Sequence, residues 1–158
     1  NWWTTSFYMF AGMCFAVGFG IELLGVHTGV IFGDYEYGTA LGPRLFEVPL
    51  MIGVNWFLLA YCFADLVART HRKTMVKAFI GALLMTLLDA VMEPVAMKLN
   101  FWNWEGDFVP FKNYVAWFFV SYFLIWLNLR TREGKPNNMA PIVLLLQLIF
   151  FGFLNFTA

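Results

Sequence analysis

The sequence predicts an all-α integral membrane protein, a single domain over residues 1–158 built as a polytopic helix bundle. Three observations carry that reading. The chain is 61% hydrophobic and 20% aromatic with only 13% charged residues, against about 25% charged in soluble domains. A chain this short has no interior large enough to hide the excess. The apolar residues gather into five runs long enough to span a bilayer. The Lys and Arg residues collect in short segments between those runs. The lipid bilayer is therefore the expected surrounding, and a net charge of zero gives no whole-molecule attraction to nucleic acid.

The first run covers residues 3–26, with Trp2, Trp3 and Tyr8 suited to an interfacial belt. Gly12, Gly18, Gly20 and Gly25 let neighbouring backbones come close in lipid, and Glu22 lies near the far end. The chain opens Asn1-Trp2-Trp3, without an initiator Met or a signal-peptide pattern, which leads to the expectation of spans preceding it. Residues 27–44 are rich in Gly and aromatics and too apolar for a solvated linker. They predict a re-entrant or interfacial segment over one mouth of the bundle, extended in part over residues 32–37.

The second span is expected over residues 46–67, with Pro49 near its start. Glu47 and Asn55, eight residues apart, would share a face, and Asp65 sits at the other end. A basic loop over residues 69–77 follows. The third span, residues 76–99, carries Asp89, Glu93 and Pro94. Asp89 and Glu93 are four apart and so share a helix face, while Pro94 lacks an N–H and predicts a kink. In residues 100–113, Trp102 and Trp104 read as interfacial anchors. The fourth span is expected over residues 114–129. A second basic loop, residues 130–138, leads to the fifth, residues 139–156. Cys14 and Cys62 fall inside spans, where a cysteine is ordinarily a small buried hydrophobe.

The loops after spans two and four hold Arg69, Arg72, Lys73, Lys77, Arg130, Arg132 and Lys135, and those on the other side hold Arg44, Lys98 and Lys112. Seven against three places the first set in the cytoplasm. Glu22, Glu47, Asn55, Asp89 and Glu93 then all fall in the non-cytoplasmic half, beneath the re-entrant or interfacial loops of that side.

Ionisable groups inside spans are costly and point to function. No Lys or Arg is placed at that depth, so burial favours a neutral carboxyl, and a neighbouring carboxylate favours it further. At least one of Glu22, Asp89 and Glu93 is expected to keep its proton near neutral pH and to be available as a general acid. The plainer reading is that these carboxyls hydrogen-bond to one another and to loop backbone and only join helices. Metal ligation is weakly supplied: His27 and His71 are the two histidines, and only His27 could join Glu22, Asp89 and Glu93. No metal or cofactor is expected. Nucleophile and phosphate-cradling motifs are absent from the sequence. The aromatic excess is lipid-facing bulk, or it lines a slot for a long apolar ligand or faces a developing carbocation. Tyr35, Tyr37, Trp56, Trp102 and Trp104 lie nearest the acidic depth.

Two blocks of the sequence are familiar. The first runs from Glu22 through Gly29, Gly33, Asp34, Tyr35, Tyr37, Gly42, Pro43 and Arg44 to Pro49, Asn55 and Trp56. The second is Leu88, Asp89, Glu93, Pro94, then Trp102, Asn103, Trp104, Val109, Pro110, Asn113 and Trp117. Together they resemble the membrane carotenoid-biosynthesis family of bacteria and archaea, whose characterised members include carotenoid 1,2-hydratases. The chain departs from the pattern at Glu93-Pro94, where the family more often has Asp-Pro. It departs again at Glu105-Gly106-Asp107-Phe108, where the family is richer in Gly. Family members are also longer at the N-terminus.

The resemblance implies a multi-pass protein of a bacterial or archaeal cytoplasmic membrane that adds water to the terminal double bond of an acyclic carotenoid end. Acyclic or monocyclic carotenoids such as lycopene or γ-carotene would be substrates, with water as the second. Such chemistry assigns proton donation to Asp89 or Glu93, and positioning of water or donor to Glu22 and Asn55. The pocket walls would be Tyr35, Tyr37, Trp56, Trp102, Trp104 and Asn113. The alternatives are a carotenoid end-group cyclase or isomerase, which protonates and then loses a proton, and a carrier or binding protein for an apolar ligand.

Overall fold

The computed structural model describes residues 4–134 and 136–157. Trp2 and Trp3, expected at the membrane interface, and Lys135, counted among the loop cations, lie outside the described residues.

The chain forms an all-α bundle: α1 Thr5–Thr28, α2 Leu50–Ala68, α3 Thr74–Lys98, α4 Phe111–Thr131 and α5 Met139–Thr157. Of these, α1, α2, α3 and α5 are long and apolar enough to cross a membrane. The 21 residues of α4 are long enough as well, and its polar residues Asn113, Ser121 and Asn128 are turned inward and buried. The outer face of α5 exposes Leu145, Leu146, Ile149, Phe150 and Phe153, the side chains a lipid-facing helix requires.

Local chemistry sets the helix ends. The Thr4 hydroxyl accepts the Phe7 N–H at 3.2 Å and caps α1. Gly29, in the left-handed region at φ 62°, closes it by donating to Gly25 O. The expectation that the second span begins at residue 46 is corrected. Val48 precedes a proline and is held extended, so Pro49 stands at the helix N-cap and α2 begins at Leu50. Residues 44–49 fold instead into a small hairpin, β2 Arg44–Leu45 against β3 Val48–Pro49. Phe46 and Glu47 at its tip take φ 49° and 69°, as a tight two-residue hairpin turn demands. Pro94 does not end α3, which continues as helix to Lys98.

Packing is centred on α2, which meets every other helix. α4 lies along α3, α5 covers α2 and α3, and α1 and α4 touch only sparsely. Small residues permit the close crossings: a Cβ on Gly18 would lie 2.4 Å from Trp56, and one on Gly81 would lie 3.1 Å from Ile125.

The loops after α1 and α3 meet over one end of the bundle. β1 Tyr35–Tyr37 pairs antiparallel with β4 Trp102–Trp104, in the register Tyr35↔Trp104 and Tyr37↔Trp102. This pairing accounts for the extended stretch expected within residues 32–37. At the opposite end, buried Asp65 accepts from Arg69 at 3.1 Å, Arg132 at 3.0 Å and the Asn137 N–H at 2.7 Å. That network ties α2 to both ends of the segment between α4 and α5.

Candidate active site

A two-residue period governs the site. Along a strand, alternate side chains share a face, so Tyr35 and Tyr37 of β1 and Trp102 and Trp104 of β4 all turn to the bundle while Glu36 and Asn103 turn away. The two phenols donate to Glu22 Oε2, at 2.6 Å from Tyr35 and 2.7 Å from Tyr37. The two indoles donate to Glu93 Oε2, at 2.8 Å from Trp102 and 2.7 Å from Trp104. Trp102 and Trp104 are therefore not interfacial anchors; their N–H groups are spent on a buried carboxylate. Burial first, and then the charge of Glu22, pushes both phenols above their ordinary range, so Tyr35 and Tyr37 stay protonated donors.

The helices complete the shell. Trp56 Nε1 of α2 donates to Glu22 Oε1 at 3.0 Å. Asn113 of α4 donates its side-chain amide to Asp89 Oδ2 at 3.1 Å and Glu93 Oε1 at 3.2 Å. Glu22 and Glu93 each receive three N–H or O–H donors, an environment suited to a charged carboxylate. Asp89 receives only the Asn113 amide, and its Oδ1 is buried without a partner. All three acids are at most 4% exposed. The cations whose pairings are seen lie elsewhere: Lys112 donates to Gly29 O, Arg44 to Gly38 O, and Arg69 and Arg132 to Asp65.

Glu22, Asp89 and Glu93 surround a cavity of about 30 Å³, room for about two waters. Tyr35, Tyr37, Asn55, Trp56, Trp102, Trp104 and Asn113 line it too, so every site residue read from the sequence reaches one place. Sequence reasoning left out Phe32, Ile52 and Trp117. Trp117 stacks on Trp56 with ring centroids 4.3 Å apart, and its signal is its place one turn beyond Asn113 on the same face of α4. Phe32 packs over Gly25, whose missing side chain gives it space.

Two residues considered with the cluster do not join it. Glu47, expected to share a face with Asn55, lies on the β2–β3 turn with 76% of its side chain exposed, 4.0 Å from His27. His27 is held at the end of α1, its Nδ1 2.9 Å from Leu23 O, and its ring faces outward. Among the described residues no group of three or more His, Cys, Asp or Glu is arranged to hold a metal ion.

Two carboxyls ringed by donors beside a third with a bare oxygen, walled by aromatic faces, form an arrangement able to deliver a proton to an apolar substrate and to stabilise the cation that results. Comparisons with known proteins bear on which substrate that is. The family model described as carotenoid biosynthesis protein matches residues 2–158. A curated relative, bisanhydrobacterioruberin hydratase of Haloarcula japonica, is 36% identical over 107 residues. That match takes in 63% of this chain and 36% of the relative. No solved structure matches the chain.

Proposed function

Because the chain belongs to the carotenoid biosynthesis protein family, we propose that it is a carotenoid hydratase, adding water to the terminal C=C of an acyclic carotenoid end to give a tertiary alcohol. The observation that carries the reading is the unequal treatment of the three acids: Glu22 and Glu93 are each surrounded by donors, while Asp89 Oδ1 has none. A buried acceptor left alone costs about 1–3 kcal/mol. A proton on Oδ1 turns it into a donor aimed at whatever enters the cavity.

The steps balance without an oxidant or reductant. Asp89 Oδ1–H protonates the less substituted carbon of the terminal double bond, the π pair forms the new C–H bond, and a tertiary cation is left. The carboxylates of Glu22 and Glu93 stabilise that charge across the cavity, and the faces of Trp56, Trp102 and Tyr35 add to it. A water held near Glu22 and Asn55 forms the C–O bond, and its surplus proton returns to Asp89. Acyclic or monocyclic carotenoids such as lycopene and γ-carotene carry the required end.

Expression in cells that accumulate lycopene or γ-carotene, followed by mass analysis of the pigments, tests the assignment. The expected product is heavier than the substrate by one water. An isomerised or cyclised product of unchanged mass would show that the cation forms but loses a proton instead, which is end-group cyclase or isomerase chemistry. Unchanged pigment would overturn the reading. At the end of the bundle opposite the β1–β4 ladder, buried Asp65 is occupied by its ion pairs with Arg69 and Arg132, which weighs against a carrier with a polar path to both faces.

A further inference from the structure

The cavity among the acids has a volume of about 30 Å³, which leaves no space for the rod of conjugated carbons behind a carotenoid end. The rod needs a place outside the cavity. Two apolar grooves on the bundle have comparable size. One, of about 370 Å³, lies between α1 and α4 and is lined by Ser6, Met9, Phe10, Met13, Leu127 and Thr131. The other, of about 380 Å³, lies where α5 covers α2 and α3 and includes Leu88, Leu144 and Leu145.

The α1–α4 groove lies along two helices that also line the cavity, with no residue common to both. Glu22 of α1 and Asn113 and Trp117 of α4 line the cavity, whereas α5 contributes nothing to it. α1 and α4 are pinned to each other near both ends, by Ser6 donating to Glu133 at 3.0 Å and Lys112 donating to Gly29 O at 2.7 Å, and they touch sparsely between. Met9, Met13, Val17 and Ile21 follow one another at four-residue steps, a row along α1 that leads from the groove to the level of Glu22. From Met13 to Glu22 the helix rises about 14 Å.

We propose that the seam between α1 and α4 is the binding site for the polyene of a linear carotenoid, entered sideways from the bilayer. The chain lies along the Met9–Met13–Val17–Ile21 row and its end group passes Trp117 to reach Asp89. The proposal rests on the hydratase reading for the identity of the ligand. It assigns chain-length specificity to residues remote from the acids: the seam grips the rod, and the cavity reads only the end.

The test compares lycopene with myrcene, a short acyclic terpene that carries the same kind of terminal double bond and has no polyene to lay in the seam. Met13→Trp fills the groove, and Met9→Trp, at a position 70% exposed, narrows its rim with little risk to folding. Leu145→Trp fills the rival groove. Both α1 variants are expected to raise KM for lycopene by about tenfold while KM for myrcene moves less than about twofold; Leu145→Trp leaves both unchanged. Unchanged lycopene KM in both α1 variants, equal loss on both substrates, or a lycopene defect confined to Leu145→Trp would each overturn the seam. Retention of lycopene on the purified protein, read from its visible absorbance, is measured alongside. Retention lost in the α1 variants of a protein that hydrates neither substrate would keep the seam and remove the hydratase. Hydration with retention unaffected by the α1 variants would do the reverse.

Discussion

Tyr35 and Trp104 stand opposite each other in the β1–β4 ladder, their rings 4.9 Å apart, yet they serve different acids: Tyr35 donates to Glu22 and Trp104 to Glu93. One pair of short strands therefore sets the separation of two buried carboxylates carried by different helices, while Asp89 lines the same cavity and lacks a donor on Oδ1.

Asp89→Asn removes the exchangeable proton and keeps the shape. The variant is expected to fold, retain carotenoid and lose hydrated product by about 10²–10⁴-fold, the ordinary weight of a general acid. Mass analysis of pigments beside circular dichroism of the purified protein checks it, and full activity would remove Asp89 from the mechanism.

Glu93→Gln leaves an oxygen to accept from Trp102 and Trp104 but takes away a charge. Product formation should fall by about 10²–10³-fold, as for other preorganised electrostatic groups, with carotenoid retention changed little. A larger effect on retention than on turnover would make Glu93 a binding residue only.

Tyr35 and Tyr37 give a pH signature. Both phenols are pushed up by burial and then by Glu22, so the folded protein keeps protons that the unfolded chain releases near about pH 10. Stability is therefore complete below that pH and falls as pH rises above it. A Tyr35→Phe, Tyr37→Phe double variant should be less stable at neutral pH, by about 1.5–3 kcal/mol for each charge-assisted bond lost. It should also lose stability less steeply on alkaline titration, as followed by thermal melts across pH.

Gly18→Ala places a methyl 2.4 Å from Trp56, which must shift and so loosen its hydrogen bond to Glu22. The expected cost is about 1–3 kcal/mol with reduced turnover. Gly12→Ala, inside α1 with nothing within 4 Å, is the control and should leave product yield unchanged and the melting temperature unchanged or raised, by the helix preference of Ala over Gly. Equal effects from both would dissociate Trp56 from the site.

Much of this architecture was legible in residue order. The apolar runs marked the bundle, and the rarity of carboxyls inside them singled out Glu22, Asp89 and Glu93, because lipid makes each such group costly. Glu47 was misplaced because Pro49 acts on the residue before it, and that local effect outweighed the apolar continuity of residues 46–67. The inward turn of Trp102 and Trp104 was illegible for a different reason. An indole suits an interface and a buried carboxylate equally well, and only the pairing of β4 with a strand 65 residues earlier decides between them. Trp117 went unselected because a tryptophan in an apolar helix reads as bulk until its partner Trp56 is known.

The β1–β4 ladder also has a consequence for biogenesis. When α3 enters the translocon, the indoles of β4 and the amide of Asn113 are still inside the ribosome, and Asp89 and Glu93 must enter without the donors that later solvate them. An Asp at the centre of a helix disfavours insertion by about 2.5–3.5 kcal/mol, and Asp89 and Glu93, nearer the end of α3, each carry a part of that cost. Stable integration of α3 is thus expected to be delayed until the segment through α4 has emerged, and released chains truncated before Trp102 should remain extractable from the membrane.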